Sequence, residues 1–436
     1  MSKTTRMLVA FMLVFVLALS GASAAFATGL NSDGAAVSAN QTSLQAAITK
    51  ILQVPAGTTV PTADFQFTAT PLTVDGEAYA SGNMPALSPV ALSISYPGPT
   101  GVPSGNTTNY TQESTDLFAN VTFPHAGIYV YSIEETKNTY ASTNPAITET
   151  MTYSNAEYQL TVYVAYNETG DTYVYALGDK VITADNSDQE TGDKLDPTLG
   201  GDGENYTTSQ MTFTNTYVKT NSSDQPENPN YPGTPDPTNP ANTTLSVSKN
   251  VAGNFASRDF FFNYSMTVNA PTVIYDPSDA SATAPVYHAY IMEGNTVVNA
   301  TPITFTSGDP TPVTFQLKAG QHLAFVDTPV GTTYTVTEAA AANYIATASV
   351  TTAGAKVDVV DPNNDGGANE ALTTGVQLVG DAANSADYLN TYNIVSPTGV
   401  IMNNLPLIGM VVLAAAALAA FIVTKARKHR NAGVQA

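Results

Sequence analysis

The chain has 436 residues, no cysteine and a formal net charge of −21. This length suits two or three domains, and the absence of cysteine excludes disulfide bonds as the device that stabilises them. The acidic balance argues against nucleic acid as a partner, because phosphates attract basic surfaces.

The N-terminal segment has the pattern of a secretory signal peptide. Lys3 and Arg6 precede an apolar stretch over residues 7–19, and small residues then lead to Ala25-Phe26-Ala27. A basic region, an apolar region and an A-x-A cleavage site are the three parts of such a signal. We therefore predict that residues 1–27 are removed and that the mature protein is extracellular.

Short runs of alternating apolar and polar residues fill two regions, 40–219 and 243–394. Examples are YQLTVYV at residues 158–164 and TYTVT at residues 333–337. Alternation with a period of two predicts half-buried strands, and Gly, Pro, Asn and Asp mark the turns between them. The prediction is an all-β fold of two tandem Ig-like β-sandwich domains.

Residues 220–242, between these two regions, differ in composition. They are rich in Pro and Asn and contain few large apolar residues. Such a composition is typical of an extended linker.

The two predicted domains share an ordered set of strand patterns. These are a Phe-rich strand (65–67 and 260–262), a Tyr-x-[Ile/Val]-x-Glu strand (131–135 and 334–338) and an aromatic-x-Asn-x-Tyr strand (213–217 and 388–392). Each domain also begins with an alternating strand that contains a lysine, Lys50 or Lys249. We interpret the two domains as an internal repeat.

Strand parity places six polar side chains on apolar faces. Because residues i and i+2 share a face of a strand, Lys50 aligns with Leu52, and Lys249 aligns with Val247. The same reasoning turns four further residues inward, namely Glu135, Asn215, Glu338 and Asn390. Glu134, the neighbour of Glu135, points outward.

A buried lysine, glutamate and asparagine in contact could react with one another. Burial favours the neutral forms of the amine and the carboxyl group, and a neutral lysine amine is a nucleophile. A protonated glutamate could hydrogen-bond the asparagine carbonyl and shuttle protons. The product would be a Lys–Asn isopeptide bond with loss of ammonia. The alternative is an unreacted Lys–Glu pair with asparagine as a hydrogen-bond partner.

With these residues the first region resembles the streptococcal pilin isopeptide-linkage domain, and the chain resembles Gram-positive sortase-assembled major pilins. The resemblance implies one bond formed by Lys50, Glu135 and Asn215 and another formed by Lys249, Glu338 and Asn390. In the chain-entropy model, closing loops of this length would stabilise each domain by roughly 4–5 kcal/mol.

Residues 395–436 combine three features in a fixed order. Val395-Ser396-Pro397-Thr398-Gly399 precedes an apolar run over 405–423, and a basic cluster follows. The run approaches the roughly 20 apolar residues of a transmembrane helix, and the basic residues place its end in the cytoplasm. The pattern resembles a cell-wall sorting signal, which implies that sortase cleaves between Thr398 and Gly399.

The sorting-signal resemblance is incomplete, and a simpler interpretation stays open. Sorting signals usually read Leu-Pro-x-Thr-Gly, or Val-Pro-Thr-Gly in pilins, whereas Ser396 precedes Pro397 here. The alternative is an ordinary single-span membrane anchor.

The resemblance to polymerised pilins also implies a surface lysine that attacks the sortase-bound Thr398 of the next subunit. Its position in the family lies shortly before the last strand of the first domain. Lys194 fits best and Lys180 is the alternative. The other interpretation of Lys194 is a solvated loop lysine without a special role.

The sequence thus predicts a structural protein rather than an enzyme: a major pilin in the pilus and cell wall of a Gram-positive bacterium. Its implied partners are sortase, other copies of the chain, accessory pilins and peptidoglycan. No metal or other cofactor is predicted, because the four histidines are scattered without metal-ligand spacing. The alternative function is a wall-anchored adhesin, monomeric or at a pilus tip or base, which would bind a host surface ligand.

Overall fold

The computed structural model describes residues 43–393, with gaps at 81, 88–91, 98–99, 143, 145–146, 186–188, 200–209, 223–226 and 360–366, and residues 410–425. Within these residues four sheets form two sandwiches, the first built from strands up to Thr220 and the second from strands that begin at Leu245.

The first sandwich contains β1 (Ile48–Pro55), β2 (Ala63–Val74), β3 (Glu77–Ala78), β4 (Leu92–Tyr96), β5 (Val102–Ser104), β6 (Thr107–Glu113), β7 (Gly127–Thr136), β8 (Thr148–Thr152), β9 (Glu157–Tyr166), β10 (Thr172–Thr183), β11 (Lys194–Leu195) and β12 (Met211–Thr220). One sheet has the order β5-β6-β1-β12-β8. The facing sheet has the order β11-β10-β9-β7-β2-β3, and β4 pairs with β2.

The second sandwich contains β13 (Leu245–Ala252), β14 (Phe262–Asn269), β15 (Val286–Glu293), β16 (Thr296–Val297), β17 (Ile303–Thr306), β18 (Val313–Leu317), β19 (Gln321–Phe325), β20 (Thr333–Glu338), β21 (Ile345–Thr352), β22 (Ala355–Asp358), β23 (Leu372–Thr373), β24 (Gln377–Leu378) and β25 (Ser385–Thr391). One sheet has the order β16-β15-β19-β13-β25-β21-β22, with β17 on β15. The facing sheet has the order β18-β14-β20-β23, with β24 on β20.

The alternating sequence pattern explains why these segments are strands. In β9 every second residue from Tyr158 to Val164 is buried, and the residues between them are partly exposed. The buried sides of the two sheets form a separate apolar core in each sandwich. The prediction of an all-β fold is confirmed.

In both sandwiches the first and last strands lie side by side and run parallel. β1 pairs with β12, and Lys50 lies opposite Phe213. β13 pairs with β25, and Lys249 lies opposite Tyr388. The candidate asparagine therefore lies two residues beyond the partner of the lysine in each domain, on the same face of the sheet.

The segment between the sandwiches differs from the predicted extended linker. Residues 227–242 of this segment fold onto the second sandwich and include a 3₁₀ helix, Pro240–Asn242. The Tyr231 ring lies 5.3 Å from the His288 ring, and the hydroxyls of Thr234 and Tyr290 are 3.1 Å apart. Asn and Asp side chains form local turns here, so a composition that suggests extension instead produces a compact segment.

The predicted Phe-rich strand of the second domain is only partly correct. A turn occupies residues 258–259, and β14 begins at Phe262, which is buried. Phe260 and Phe261 precede the strand and remain 43% and 48% exposed.

The two sandwiches meet at a polar junction. The Val330 amide donates to the carbonyl of Lys219 at 2.8 Å, and the Lys219 amine pairs with Asp381 at 3.0 Å. The Asn221 side chain donates to the carbonyl of Gly380 at 3.1 Å. These contacts join the end of β12 to loops of the second domain.

Some sequence predictions concern residues outside the described ones. These are the signal peptide (1–27), the cleavage motif Pro397-Thr398-Gly399 and the start of the apolar run 405–423. A helix covers residues 410–425. Within the described residues, no helix has both the length and the apolar character needed to cross a membrane.

The junction predicts a specific cost for filling the space beside Gly331. This glycine has φ +89°, and a Cβ there would lie 2.3 Å from the Cβ of Pro55 in the other sandwich. For Gly331→Ala we expect a loss of about 1–2 kcal/mol from the left-handed backbone and a further loss of about 1–3 kcal/mol from overpacking. Urea unfolding of the full chain measures the combined loss in the free energy of unfolding.

Gly354→Ala is the matched control for this substitution. Gly354 has φ +80°, but its added Cβ would approach nothing closer than 3.9 Å. It should incur the backbone cost alone. Equal costs for the two variants would mean that Pro55 does not pack against Gly331.

Candidate crosslinking sites

The first candidate site lies between the two sheets of the first sandwich. β1 contributes Lys50, its neighbour β12 contributes Asn215, and β7 of the facing sheet contributes Glu135. Lys50 and Asn215 are fully buried, and Glu135 is nearly so. The fold therefore brings together three side chains that are far apart in sequence.

Glu135 lies between the other two side chains and contacts both. The Lys50 Nζ is 3.0 Å from Glu135 Oε1, and the Asn215 Nδ2 donates to the same oxygen at 2.7 Å. One carboxyl oxygen thus faces both the amine and the amide nitrogen.

The Asn215 carbonyl oxygen has a different partner. The backbone amide of Ser154 donates to Asn215 Oδ1 at 2.8 Å and to Glu135 Oε2 at 3.2 Å. Because a backbone amide is only a donor, it fixes which end of the asparagine side chain is oxygen. The expected hydrogen bond from glutamate to the carbonyl is therefore wrong: Glu135 contacts the nitrogen, and Ser154 polarises the carbonyl.

Aromatic rings line this site, and burial shifts the pKa values of its lysine and glutamate. The Lys50 Nζ lies 4.7 Å from the centroid of the Phe65 ring. Burial lowers the pKa of Lys50 to about 8, against the opposing effect of Glu135. Burial also raises the pKa of Glu135, although Lys50 and the hydrogen bonds oppose this. Both shifts favour the uncharged forms of the pair.

The second sandwich repeats this arrangement. Lys249 Nζ lies 2.8 Å from Glu338 Oε2, and Asn390 Nδ2 donates to Glu338 Oε1. All three side chains are buried. The Lys249 amine lies 3.9 Å from the Phe262 ring centroid, and burial lowers the pKa of Lys249 to about 8.

The second site differs from the first in two contacts. The Tyr264 hydroxyl donates to Glu338 Oε2 at 2.8 Å, a position that a backbone amide fills in the first domain. Within the described part of the chain, the Asn390 carbonyl oxygen is buried without a hydrogen-bond partner. The first site therefore has a donor at the carbonyl that the second site lacks.

Ser154 and Tyr264 are not among the residues that the sequence predicts for these sites. Ser154 acts through its backbone amide, so its side chain carries no signal. Tyr264 lies two residues after Phe262 on the same face of β14, and parity could have placed it in this core.

These contacts meet the chemical needs of an exchange between an amine and a carboxamide. The amine is the nucleophile, the carboxyl group can move a proton between two nitrogens, and water is excluded. In the first domain the Ser154 amide can also bind the oxygen on which negative charge develops. Glu134 is exposed and takes no part.

The two candidate acceptor lysines lie elsewhere, at the edge of the first sandwich. Lys194 is exposed in the short strand β11 and lies directly opposite Lys180 of β10, which is also exposed. Both amines are thus presented to solvent at one place. Among the described residues, no group of His, Cys, Asp and Glu has the arrangement of a metal site.

Comparisons with known proteins give two family matches. Residues 46–218 match the model of FctA, described as a Spy0128-like isopeptide containing domain. Residues 243–391 match DUF7601, a domain of unknown function. No curated protein gives a significant match.

Solved structures give distant likenesses. The major pilin from Streptococcus pyogenes is 19% identical, with 81% of this chain and 100% of that chain covered and a TM-score of 0.30. The T3.2 major pilin of the same species is 20% identical, with 80% and 99% covered and a TM-score of 0.29. The pilus-presented adhesin Spy0125 is 10% identical, with 55% and 36% covered and a TM-score of 0.23.

The family match over residues 46–218 is the more specific of these similarities. It covers the strands that hold Lys50, Glu135 and Asn215. Residues 46–218 therefore belong to the family of Spy0128-like isopeptide containing domains, as the sequence predicts for the first domain.

Proposed function

We propose that this protein is the major subunit of a covalently polymerised pilus on a Gram-positive cell, with an internal Lys–Asn isopeptide bond in each sandwich. The observation that carries the proposal is the same buried trio in both domains. Each trio joins the first strand to the last strand of its domain. A buried Lys–Glu ion pair in one domain would not explain why an asparagine contacts the same glutamate in both domains.

Bond formation in the first domain follows from the contacts of Glu135. Lys50 transfers a proton to Glu135, and the neutral Nζ attacks the Asn215 Cγ. The Ser154 amide stabilises the developing oxyanion. Glu135 then protonates Nδ2, the C–N bond to that nitrogen breaks, and ammonia leaves. Glu135 then accepts the second proton of Nζ and ends protonated, so the products are a neutral amide, a neutral carboxyl group and uncharged ammonia.

Such bonds suit a protein under tension. Because β1 and β12 are adjacent and parallel, a pull at the two ends of the domain acts on both strands. A covalent bond between them carries the force past the hydrogen-bonded ladder. A protein without cysteine gains in this way what a disulfide provides elsewhere.

The remaining parts of the proposal concern assembly. The signal peptide (1–27) directs export, and the sorting signal (395–436) holds the precursor in the membrane through residues 405–423. Sortase cleaves after Thr398 and joins it to a lysine of the next subunit, and finally to peptidoglycan. Lys194 is the proposed acceptor because it is exposed at the sheet edge.

Glu135→Ala should abolish the first isopeptide bond and leave the second. Without Glu135 the amine has no proton acceptor, and the amide nitrogen has no donor. Intact mass under denaturing conditions should then rise by one ammonia beyond the change expected for the substitution.

Glu134→Ala is the control, because it removes a neighbouring carboxyl group that is exposed. It should leave the mass deficit unchanged. Loss of the second bond as well would indicate misfolding, which tyrosine fluorescence would detect. A Glu135→Ala protein with an undiminished deficit would disprove the role of Glu135.

The rate of the first bond should have an alkaline limit near pH 8. The reactive form of the pair has neutral Lys50 and protonated Glu135. This form carries the same number of protons as the Lys50–Glu135 ion pair, so the ratio of the two forms does not change with pH in the neutral range. Above the Lys50 pKa of about 8 the pair loses a proton, so Glu135 can no longer act as an acid and bond formation should slow.

Mass measurements after refolding unreacted chains at different pH values test this prediction, and tyrosine fluorescence follows folding separately. A rate that keeps rising to strongly alkaline pH would indicate an ordinary lysine nucleophile without a coupled acid.

Lys194→Ala should leave the subunit folded but remove the high-mass ladder from sortase-released wall extracts. The matched control is Lys180→Ala, because Lys180 lies directly opposite. A ladder lost only with Lys180→Ala would move the acceptor to Lys180. An unchanged ladder in the double variant would exclude both lysines, and a single monomer-sized band from the wild type would favour an anchored adhesin.

A further inference from the structure

A second polar trio occupies the opposite face of the same strand pair. Thr49 on β1 adjoins Lys50 but points away from it. Gln210 immediately precedes β12, and Glu113 ends β6. β1 lies between β6 and β12, and Thr49 lies directly opposite both Glu113 and Thr212.

The three side chains form a connected set. The Thr49 Oγ1 donates to Gln210 Oε1 at 2.5 Å. The Gln210 Nε2 donates to Glu113 Oε1 at 2.7 Å and to the carbonyl of Thr198 at 2.6 Å. Thr49 and Gln210 are both 0% exposed.

The orientation of the Gln210 side chain follows from these partners. If its oxygen and nitrogen were exchanged, the oxygen would face two acceptors, the Glu113 carboxyl oxygen and the Thr198 carbonyl. That arrangement is repulsive. The carbonyl oxygen of Gln210 therefore faces the Thr49 hydroxyl, and its nitrogen faces the Glu113 carboxyl group.

Residues 197–199 cover the site. The Ala47 amide donates to the carbonyl of Pro197, and the Leu199 amide donates to the carbonyl of Gln45. Thr198 forms a bridge with Ala46 between these bonds. This backbone layer excludes water from a face of the sheet that would otherwise be solvated.

The Thr49, Gln210 and Glu113 set contains the same three kinds of group as the lysine site on the inner face. In both, β1 provides a nucleophile, β12 or the residue before it provides a carboxamide, and a carboxyl group accepts from the amide nitrogen at 2.7 Å. We propose that Thr49 and Gln210 form an ester crosslink in the first domain.

The reaction balances without a cofactor. The Thr49 Oγ1 bonds to the Gln210 Cδ, and the bond from Cδ to Nε2 breaks. The hydroxyl proton reaches the leaving nitrogen through Glu113, and the product is one ammonia. The first domain then has two covalent ties between its first and last strands, one on each face of the sheet.

The second domain supplies an internal comparison. Ser248 occupies the position of Thr49, but its hydroxyl donates to the Asp387 carboxylate at 2.6 Å, and Ser385 stands in the register position of Gln210. A carboxylate has no amide nitrogen to lose as ammonia. The ester is therefore specific to the first domain.

Hydroxylamine and peptide mapping of the purified full chain test the proposal. Thr49 adjoins Lys50 and Gln210 lies near Asn215, so one peptide pair carries both bonds and should lack two ammonias. Hydroxylamine cleaves an ester but not an isopeptide bond. It should leave a hydroxamate at residue 210 and a pair that is still linked through Lys50.

Variants give the matched controls. Thr49→Ser keeps the hydroxyl and should keep the second ammonia deficit, whereas Thr49→Val, of the same shape, should abolish it. A wild-type pair that lacks one ammonia and resists hydroxylamine overturns the ester and leaves the isopeptide bond in place. A pair linked only by a hydroxylamine-sensitive bond supports the ester and overturns the isopeptide bond.

Discussion

The parallel contact between the first and last strands is the constraint on which this structure depends. In each sandwich it places a lysine and an asparagine on one buried face, two residues apart in register. A glutamate from the facing sheet completes the set. The strand pairing brings together groups that the sequence separates by nearly a whole domain, and burial then removes the water that would keep them charged and apart.

An unreacted trio would be a poor way to stabilise these cores. Buried ion pairs contribute little net stability, because desolvation offsets their attraction. The aromatic rings around both lysines increase that desolvation. A covalent product removes the buried charges and leaves a neutral amide. The cost of burying the ion pair therefore becomes a driving force for the bond.

The two domains differ in the hydrogen-bond donors that surround the Lys–Glu–Asn set. In the first, a backbone amide holds the asparagine carbonyl. In the second, a tyrosine hydroxyl holds the glutamate, and within the described residues the carbonyl has no donor. On its outer face the first domain also has the contact between Thr49 and Gln210. The first domain therefore holds two nucleophile–carboxamide pairs, one on each face of the sheet.

Features that a single strand determines could be predicted from the sequence, whereas features that form where several segments meet could not. Period-two alternation gave the all-β fold and turned Lys50, Glu135 and Asn215 inward, because parity is local. Ser154 could not be predicted, since only tertiary packing brings its amide to the asparagine. The segment around Tyr231 was predicted as extended, because its composition does not reveal contacts with His288. The Thr49 site needed three adjacent strands, whose pairing a single sequence does not specify.

The most direct test of the central claim is an X-ray structure of the mature protein at a resolution that separates bonded from non-bonded atoms. This account predicts continuous density from Lys50 Nζ to Asn215 Cγ and from Lys249 Nζ to Asn390 Cγ, with both amide nitrogens lost. Intact asparagine side chains, separated from the lysines by van der Waals distances, would contradict it.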